Sequence, residues 1–176
     1  MSSVSGEGWQ RLNTLPPDDA REELRRCCGS SRWIEAMLEA RPFASFDELR
    51  ARADEVFGTL ERADWLEAFA HHPRIGDLES LRKKFASTAA WASSEQASVQ
   101  GASEETLRAL ADGNAAYLEK FGYIFIICAT GRSADEMLAA LQARLGNTPE
   151  VELAIAAGEQ RKITHIRLGK LAGEVA

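Results

Sequence analysis

The stretch His71-His72-Pro73-Arg74-Ile75-Gly76-Asp77 lies between two segments whose apolar residues recur with a helical period. Proline disfavours the α conformation of the residue before it, so the first helix must end at His72. Gly76 permits a sharp turn, and the carboxylate of Asp77 can cap the helix that follows. The stretch therefore predicts two helices joined by a turn, with the His72 imidazole placed at a helix end, where it can face a ligand. The plainer alternative is that His-Pro only ends a helix.

Helix signals recur on both sides of this stretch. Pro17 and the two aspartates after it predict the first turn of a helix that stops at Gly29. Ser31 is expected to cap a helix that ends before Pro42. Capping boxes at Ser45 and Ser133 predict two further helix starts, and other helices are expected to begin at Ser103 and at Thr148-Pro149. With no internal repeat and no long linker, the chain is predicted to be all-α, a single domain over residues 9–172 after a disordered tail, residues 1–8.

One segment does not fit the helical pattern. Residues 122–131 (GYIFIICATG) are bounded by glycines and rich in β-branched and aromatic side chains, which by propensity alone indicates a buried strand. No second convincing strand is available for it to pair with, and an isolated strand leaves backbone groups unsatisfied. We therefore expect a buried helix, or a break between helices whose backbone groups are satisfied by another partner such as a ligand.

Composition excludes several classes of protein. The chain has 176 residues and a formal charge of −6, whereas nucleic-acid binding needs clustered positive charge. No apolar run approaches the roughly 20 residues that span a bilayer, and no secretory signal is recognised. Three cysteines, two of them adjacent, do not form a disulfide framework. These features predict a cytoplasmic protein that binds neither nucleic acid nor membrane.

A second candidate region is Ser93-Ser94-Glu95-Gln96, whose hydroxyls, carboxylate and amide stand among alanines. Its plain alternative is a solvated helix face. Adjacent histidines on a helix point about 100° apart, and no metal-binding spacing is present, so no metal site is predicted. Nucleotide-binding glycine loops and the serine-hydrolase elbow are also absent from the sequence.

Several motifs in a fixed order connect these regions to a known family. They are His72-Pro73-Arg74-Ile75-Gly76-Asp77, Ser94-Glu95-Gln96, Asn114-x-x-Tyr117-x-x-Lys120-Phe121-Gly122-Tyr123-x-Phe125-Ile126-Ile127-Cys128-Ala129, Arg144-Leu145-x-Asn147 and Ile166-Arg167-Leu168. Each motif is weak alone, but five in one order are specific. From about Trp9 to Leu168, the chain resembles the 2-oxo-4-hydroxy-4-carboxy-5-ureidoimidazoline (OHCU) decarboxylases of uric acid degradation.

The resemblance implies a multi-helix bundle of the OHCU decarboxylase type, a homodimer without cofactor or metal, that converts OHCU to (S)-allantoin. His72 matches the family's catalytic acid and Glu95 is expected to take part in catalysis. The expected substrate contacts come from three stretches and one late arginine: Pro73; Ala92, Ser93, Ser94, Glu95 and Gln96; Phe125, Ile126, Ile127, Cys128 and Ala129; and Arg167. The 125–129 stretch would touch the ligand through its backbone, and His71 is given no role.

These assignments suggest a mechanism. Loss of carbon dioxide leaves an electron pair that the ring C=N can accept, after which His72 would protonate one face as a general acid. If Glu95 lies near His72, its negative charge would raise the histidine pKa. Two alternatives are a small helical module that binds the ligand without turnover, and a hydrolase of a related ureido compound.

Overall fold

The computed structural model describes residues 8–72, 77–83 and 103–173 of the chain. After a short 3-10 turn at Gly8–Gln10, the helices with both ends in these ranges are α1 (Arg11–Thr14), α2 (Pro17–Cys27), α3 (Ser31–Glu39), α4 (Phe46–Phe57), α5 (Arg62–Ala70), α6 (Glu104–Phe121), α7 (Ala134–Leu145) and α8 (Pro149–Leu171). Residues 78–83 are also helical. No strand occurs within these ranges, so the predicted all-α class is confirmed. The predicted tail lies outside the described residues, except for Gly8.

The helix starts follow the capping residues read from the sequence, with one correction. Ser45 and Ser133 each accept a hydrogen bond from a backbone N–H of the first turn, as predicted, and Ser103 does the same at the start of the helix expected there. The cap of α3 is Ser30, which accepts from the N–H of Trp33, and not Ser31. The Ser31 hydroxyl bonds the carboxylate of Glu67 instead. Ser30 and Ser31 are adjacent serines, so their sequence alone did not tell which would be the cap.

The chain divides into two compact units, of which the first runs to His72 and resumes at Ala157. Within it, α3 contacts α2, α4 and α5. The large side chains of Trp33, Met37 and Phe69 are completely buried, and the Trp33 indole N–H donates to the carbonyl of Ala53 at 3.3 Å. Burial of such side chains removes apolar surface from water and holds the helices together.

The second unit spans Pro73–Ala156, and in it α6 packs on α7. Gly113 of α6 makes this close packing possible, because a Cβ built there would lie 2.6 Å from the side chain of Leu141. Tyr117 is completely buried, with Phe121 and Phe125 ring centroids 4.6 and 5.2 Å from its own. The prediction of one domain over residues 9–172 stays a prediction.

Residues 122–131 link α6 to α7, and the first of the two expectations for them is wrong. They do not form a helix. Helix α6 ends at Gly122, whose φ of +85° is left-handed and favours glycine. The second expectation, a break with backbone groups satisfied by other partners, agrees with the structure in part. Those partners include arginine side chains of the protein itself, described below.

Candidate active site

His72 lies just beyond the last turn of α5, as the His-Pro pattern predicts. His71 is the C-cap residue, and the N–H of His72 still donates to the carbonyl of Phe69 at 3.2 Å. Beyond the turn, Asp77 accepts from the N–H of Ser80 at 2.8 Å, which confirms the predicted cap of the following helical segment. The end of α5 thus places the imidazole of His72 half-buried, outside the helical ladder.

A glycine fixes the position of this helix end. The backbone of Gly29 approaches His71 so closely that a Cβ built on it would lie 2.4 Å from the Cβ of His71. The His71 Cβ is bound directly to the backbone and cannot rotate away. The junction between α2 and α3 therefore needs a residue without a side chain, and it supports the position of the neighbouring His72.

Gly29→Ala is expected to destabilise the protein by about 1–3 kcal/mol and to lower activity, because the new methyl group must displace the end of α5. Gly158→Ala is the matched control, since a Cβ in the middle of α8 meets no atom within 4 Å. That control should stabilise the fold by about 0.4–1 kcal/mol. Urea unfolding measures both changes, and equal stability of the two variants would contradict the close approach.

The two ring nitrogens of His72 contact different groups of α8. Nε2 lies 2.5 Å from Oε1 of Gln160, and Nδ1 lies 3.5 Å from Nη2 of Arg167, the long limit of a hydrogen bond. A guanidinium can only donate, so Nδ1 presents its lone pair to Arg167. The proton of the neutral imidazole is therefore on Nε2, where it is donated to Gln160.

The surroundings of His72 favour the neutral ring. Burial lowers the pKa of His72 below its ordinary value of 6.5, and the electrostatic effects of Arg167 and, to a smaller extent, of His71 act in the same direction. The hydrogen bond with Gln160 opposes this shift without reversing it. The rise in pKa expected from Glu95 stays a prediction, since Glu95 lies outside the described residues.

Arg167 is held in place from the opposite side. Its Nη1 donates to the carbonyl of Arg26 at 3.3 Å, in the last turn of α2, where helix carbonyls carry partial negative charge. Cys27 and Cys28 are buried at the same helix end, and burial raises their pKa values to about 12 and 11. Both thiols are therefore uncharged at neutral pH, and the Arg167 guanidinium has no thiolate beside it.

In the second unit, the predicted 125–129 stretch is held by arginines. Nη1 of Arg144 donates to the carbonyl of Ile126 at 2.7 Å, and its guanidinium lies 4.5 Å from the centroid of the Phe125 ring. Nε of Arg132 donates to the carbonyl of Cys128 at 3.1 Å. Side-chain donors thus satisfy these two carbonyls, as the backbone N–H groups of a neighbouring strand would in a sheet.

Arg144 is itself fixed by a buried carboxylate. Glu152 has no exposed surface, and its Oε2 accepts from Nε and Nη2 of Arg144 at 2.8 and 2.5 Å. The Tyr117 hydroxyl donates to the same oxygen, while Asn147 donates to Oε1 at 3.1 Å. We call Tyr117, Arg144, Asn147 and Glu152 the buried ionic cluster. Three of its members belong to the family motifs, but no local pattern connects them to Glu152.

The structure brings together two of the predicted site residues, His72 and Arg167, and places Phe125, Ile126, Ile127, Cys128 and Ala129 in the second unit. Pro73 and residues 92–96, with Glu95, lie outside the described residues. Sequence reasoning missed Gln160, because nothing in a glutamine of a long helix indicates a histidine 88 residues away. In the described ranges, no group of three His, Cys, Asp or Glu side chains is arranged to hold a metal ion, and no helix is long and apolar enough to cross a membrane.

Comparison with known proteins agrees with this arrangement. The family model described as OHCU decarboxylase matches residues 13–169. The bifunctional uric acid degradation protein TTL of Arabidopsis thaliana is 41% identical over 88% of this chain, which spans only 48% of that protein's length. The 2-oxo-4-hydroxy-4-carboxy-5-ureidoimidazoline decarboxylase of Haloferax volcanii is 28% identical over 92% of this chain and 94% of its own.

A solved structure gives the same result for the fold. A crystal structure of OHCU decarboxylase determined in the presence of (S)-allantoin superposes with a TM-score of 0.71 and 40% identity, over 87% of this chain and 99% of that one. The family match covers most of the chain and includes the His-Pro turn, the 125–129 stretch and Arg167. The chain belongs to the OHCU decarboxylase family.

Proposed function

We propose that this protein decarboxylates OHCU to (S)-allantoin, without metal or cofactor, with His72 as the group that moves the proton. The observation that carries the proposal is the environment of His72. Its Nδ1 lone pair lies beside the permanent positive charge of Arg167, and its Nε2 proton is held by Gln160. A neutral imidazole next to a guanidinium suits an anionic substrate that must both lose and gain protons.

The substrate's structure explains why no electron-accepting cofactor is needed. The carboxylate and the hydroxyl share carbon 4, and the ring C=N begins at carbon 5, which carries the ureido group. When the bond to the carboxylate breaks, its electron pair forms a double bond between carbons 4 and 5. The C=N pair moves to nitrogen, which takes a proton from solvent. Carbon dioxide leaves, and an enol remains.

The enol must then become a carbonyl, and here the chemistry needs a histidine. Once an anionic group of the substrate engages Arg167 and releases its long contact with His72, Nδ1 of His72 accepts the hydroxyl proton as the carbonyl forms at carbon 4. The imidazolium then supplies a proton to one face of carbon 5. Overall, one carboxylate and one proton become carbon dioxide and a C–H bond. His72 thus acts first as a base and then as the acid of the final step. Its lowered pKa favours the neutral ring that the first of these roles needs.

Arg167 supplies the electrostatic part of the proposal. Its planar guanidinium can hold an anionic group of the substrate, and Nη1 is already oriented by the carbonyl of Arg26. Arg167 also makes a persistent imidazolium unfavourable, so the proton taken up at Nδ1 is readily passed on.

The remaining assignments are proposals from the sequence. Glu95 and Gln96 hold the ring and ureido groups, with Pro73, Ala92, Ser93 and Ser94 beside them. The backbone of Phe125, Ile126, Ile127, Cys128 and Ala129 contacts the ligand. We also propose that the protein is a cytoplasmic homodimer.

The decisive experiment uses freshly prepared OHCU, followed by circular dichroism and by release of carbon dioxide. We expect faster release of carbon dioxide and an excess of (S)-allantoin, whereas spontaneous decarboxylation gives a racemate. A binding module would bind OHCU and leave both the rate and the racemic product unchanged. A hydrolase would form a product without release of carbon dioxide. Either result would overturn the proposal.

Glu95→Gln tests the second proposed catalytic residue. The variant replaces a charged acceptor oxygen with an amide that can donate, so a substrate N–H would meet a donor. A hydrogen bond to a charged group contributes roughly 1.5–3 kcal/mol, which predicts about a 10- to 150-fold loss in kcat/KM. Gln142→Glu, the reverse exchange at an exposed position of α7, serves as a control with unchanged kinetics. Full activity of Glu95→Gln would return residues 93–96 to the solvated-face interpretation.

A further inference from the structure

Gln160 is a fully buried amide that no part of the mechanism above uses chemically, although it touches the proposed proton carrier. Its Oε1 lies 2.5 Å from Nε2 of His72, and its own Nε2 donates to Oγ1 of Thr164 at 3.1 Å, one helical turn further along α8. Gln160 has no exposed surface and Thr164 is 2% exposed, so water does not compete for these contacts.

Two contacts favour the same direction of hydrogen bonding along this chain of groups. Arg167 has only donors, so its long 3.5 Å contact favours Nδ1 of His72 as the acceptor, and the short 2.5 Å contact with Oε1 of Gln160 makes Nε2 the donor. Nε2–H then requires an oxygen from Gln160, which leaves the amide NH₂ to point at the Thr164 hydroxyl. With the amide reversed, its NH₂ would face Nε2, the ring proton would move to Nδ1, and that N–H would point at the guanidinium of Arg167. Only the observed arrangement avoids two opposed donors.

We infer that Gln160 is a positioning residue that keeps His72 in the tautomer with the proton on Nε2 and the lone pair on Nδ1. The inference rests on the proposed function, because that lone pair is the base that takes the hydroxyl proton. Gln160 touches no reacting atom. It acts through the orientation and tautomer of the imidazole, and Thr164 acts in turn through Gln160.

The charged groups acting on His72 are few in the described part of the chain. Arg167 on α8 and the adjacent His71 both disfavour the imidazolium, and the neighbouring Cys27 and Cys28 are uncharged thiols. Among the described residues, Gln160 is the neutral group that accepts from the ring. A carboxylate at position 160 would keep this acceptor and add a negative charge next to Nε2.

Three variants separate positioning from simple packing. Gln160→Leu removes the acceptor, Thr164→Val removes the hydroxyl that accepts from the amide NH₂, and Gln160→Glu keeps the acceptor with a charge. Nitrogen-15 NMR of the ligand-free protein, with the imidazole labelled, reads the His72 tautomer directly. We expect the Nε2–H form in the wild type and in Gln160→Glu, and a mixture of tautomers in Gln160→Leu and Thr164→Val. An unchanged single tautomer in the last two would overturn the inference.

Kinetics give a second, independent readout. Gln160→Leu should lower kcat roughly 10- to 100-fold with little change in KM, because a misplaced catalytic group loses rate more than binding. In Gln160→Glu, kcat should largely recover, and the acid limb of the kcat/KM profile should move to higher pH by about 1–3 units. If Gln160→Leu does not fold, the pH profile of kcat/KM for Gln160→Glu still tests the inference. An acid limb at the wild-type pH would contradict the positioning role of Gln160. Gln142→Glu should leave the profile in place.

The two proposals can fail separately. If the wild-type protein does not turn over OHCU, the proposed function fails even though the NMR spectrum still shows a Gln160-dependent tautomer. If turnover is stereospecific and the tautomer is independent of Gln160, the proposed function stands and the positioning role is wrong.

Discussion

His72→Gln is expected to reduce the acceleration of OHCU decarboxylation by at least about 10²- to 10⁴-fold and to leave a racemic product. Glutamine cannot take up and return a proton at neutral pH. Solvent must then protonate carbon 5, and it can do so from both faces. The helix content should not change, since His72 lies beyond the last residue of α5 and is half-buried. Rate and optical activity of the allantoin formed are measured in the same assay.

His71→Gln is the matched control, because the neighbouring imidazole is exposed, moves no proton in the proposed mechanism and has the smallest of the effects that act on the pKa of His72. Its rate and product configuration should equal those of the wild type. A His72→Gln rate within about tenfold of wild type corresponds to less than about 1.4 kcal/mol of barrier, too little for an essential proton carrier. An excess of (S)-allantoin from that variant would likewise assign the proton to another group.

Arg144→Met is expected to destabilise the protein by about 3–5 kcal/mol, because it leaves the carboxylate of Glu152 buried without its cation. Glu152 has no exposed surface, so water cannot replace the lost hydrogen bonds. The same change removes the donor to the carbonyl of Ile126 and should loosen the 125–129 stretch. Urea unfolding at neutral pH measures the loss of stability.

An exposed ion pair provides the comparison. Arg108 of α6 lies 3.6 Å from Glu104, with side chains 65% and 48% exposed. Arg108→Met should cost at most about 1 kcal/mol, because solvent screens such pairs and the Glu104 carboxylate keeps its hydrogen bonds with Arg82. Equal effects of the two variants would show that the buried ionic cluster does not hold the second unit together.

The elements that could be predicted from the sequence depend on neighbours along the chain. Pro17, Ser45, Ser103 and Ser133 act on backbone groups within one helical turn, and their helices begin where these residues predict. His72 was placed at a helix end for the same reason, since Pro73 restricts only the residue before it.

The features that could not be predicted depend on partners distant in the chain. Residues 122–131 have the composition of a strand, yet their carbonyls are paired with Arg132 and Arg144 instead of with another strand. No local pattern tells that Arg144 would turn toward Ile126 and Glu152. Gln160 was missed likewise, because a glutamine on a helix is ordinarily solvated and its contact with His72 exists only after folding.

Cys27 and Cys28 have a practical consequence for studying this protein. Both thiols are buried, and their pKa values of about 12 and 11 leave almost no reactive thiolate in the native state. A thiol reagent can therefore modify them only when the end of α2 opens and exposes them. When the modified cysteines are identified by peptide mass spectrometry, so that the less buried Cys128 is counted separately, the rate at Cys27 and Cys28 reports the free energy of opening beside Arg167. Substrate that binds Arg167 should slow the modification, so the reaction rate of the adjacent Cys27 and Cys28 reports whether the site holds substrate.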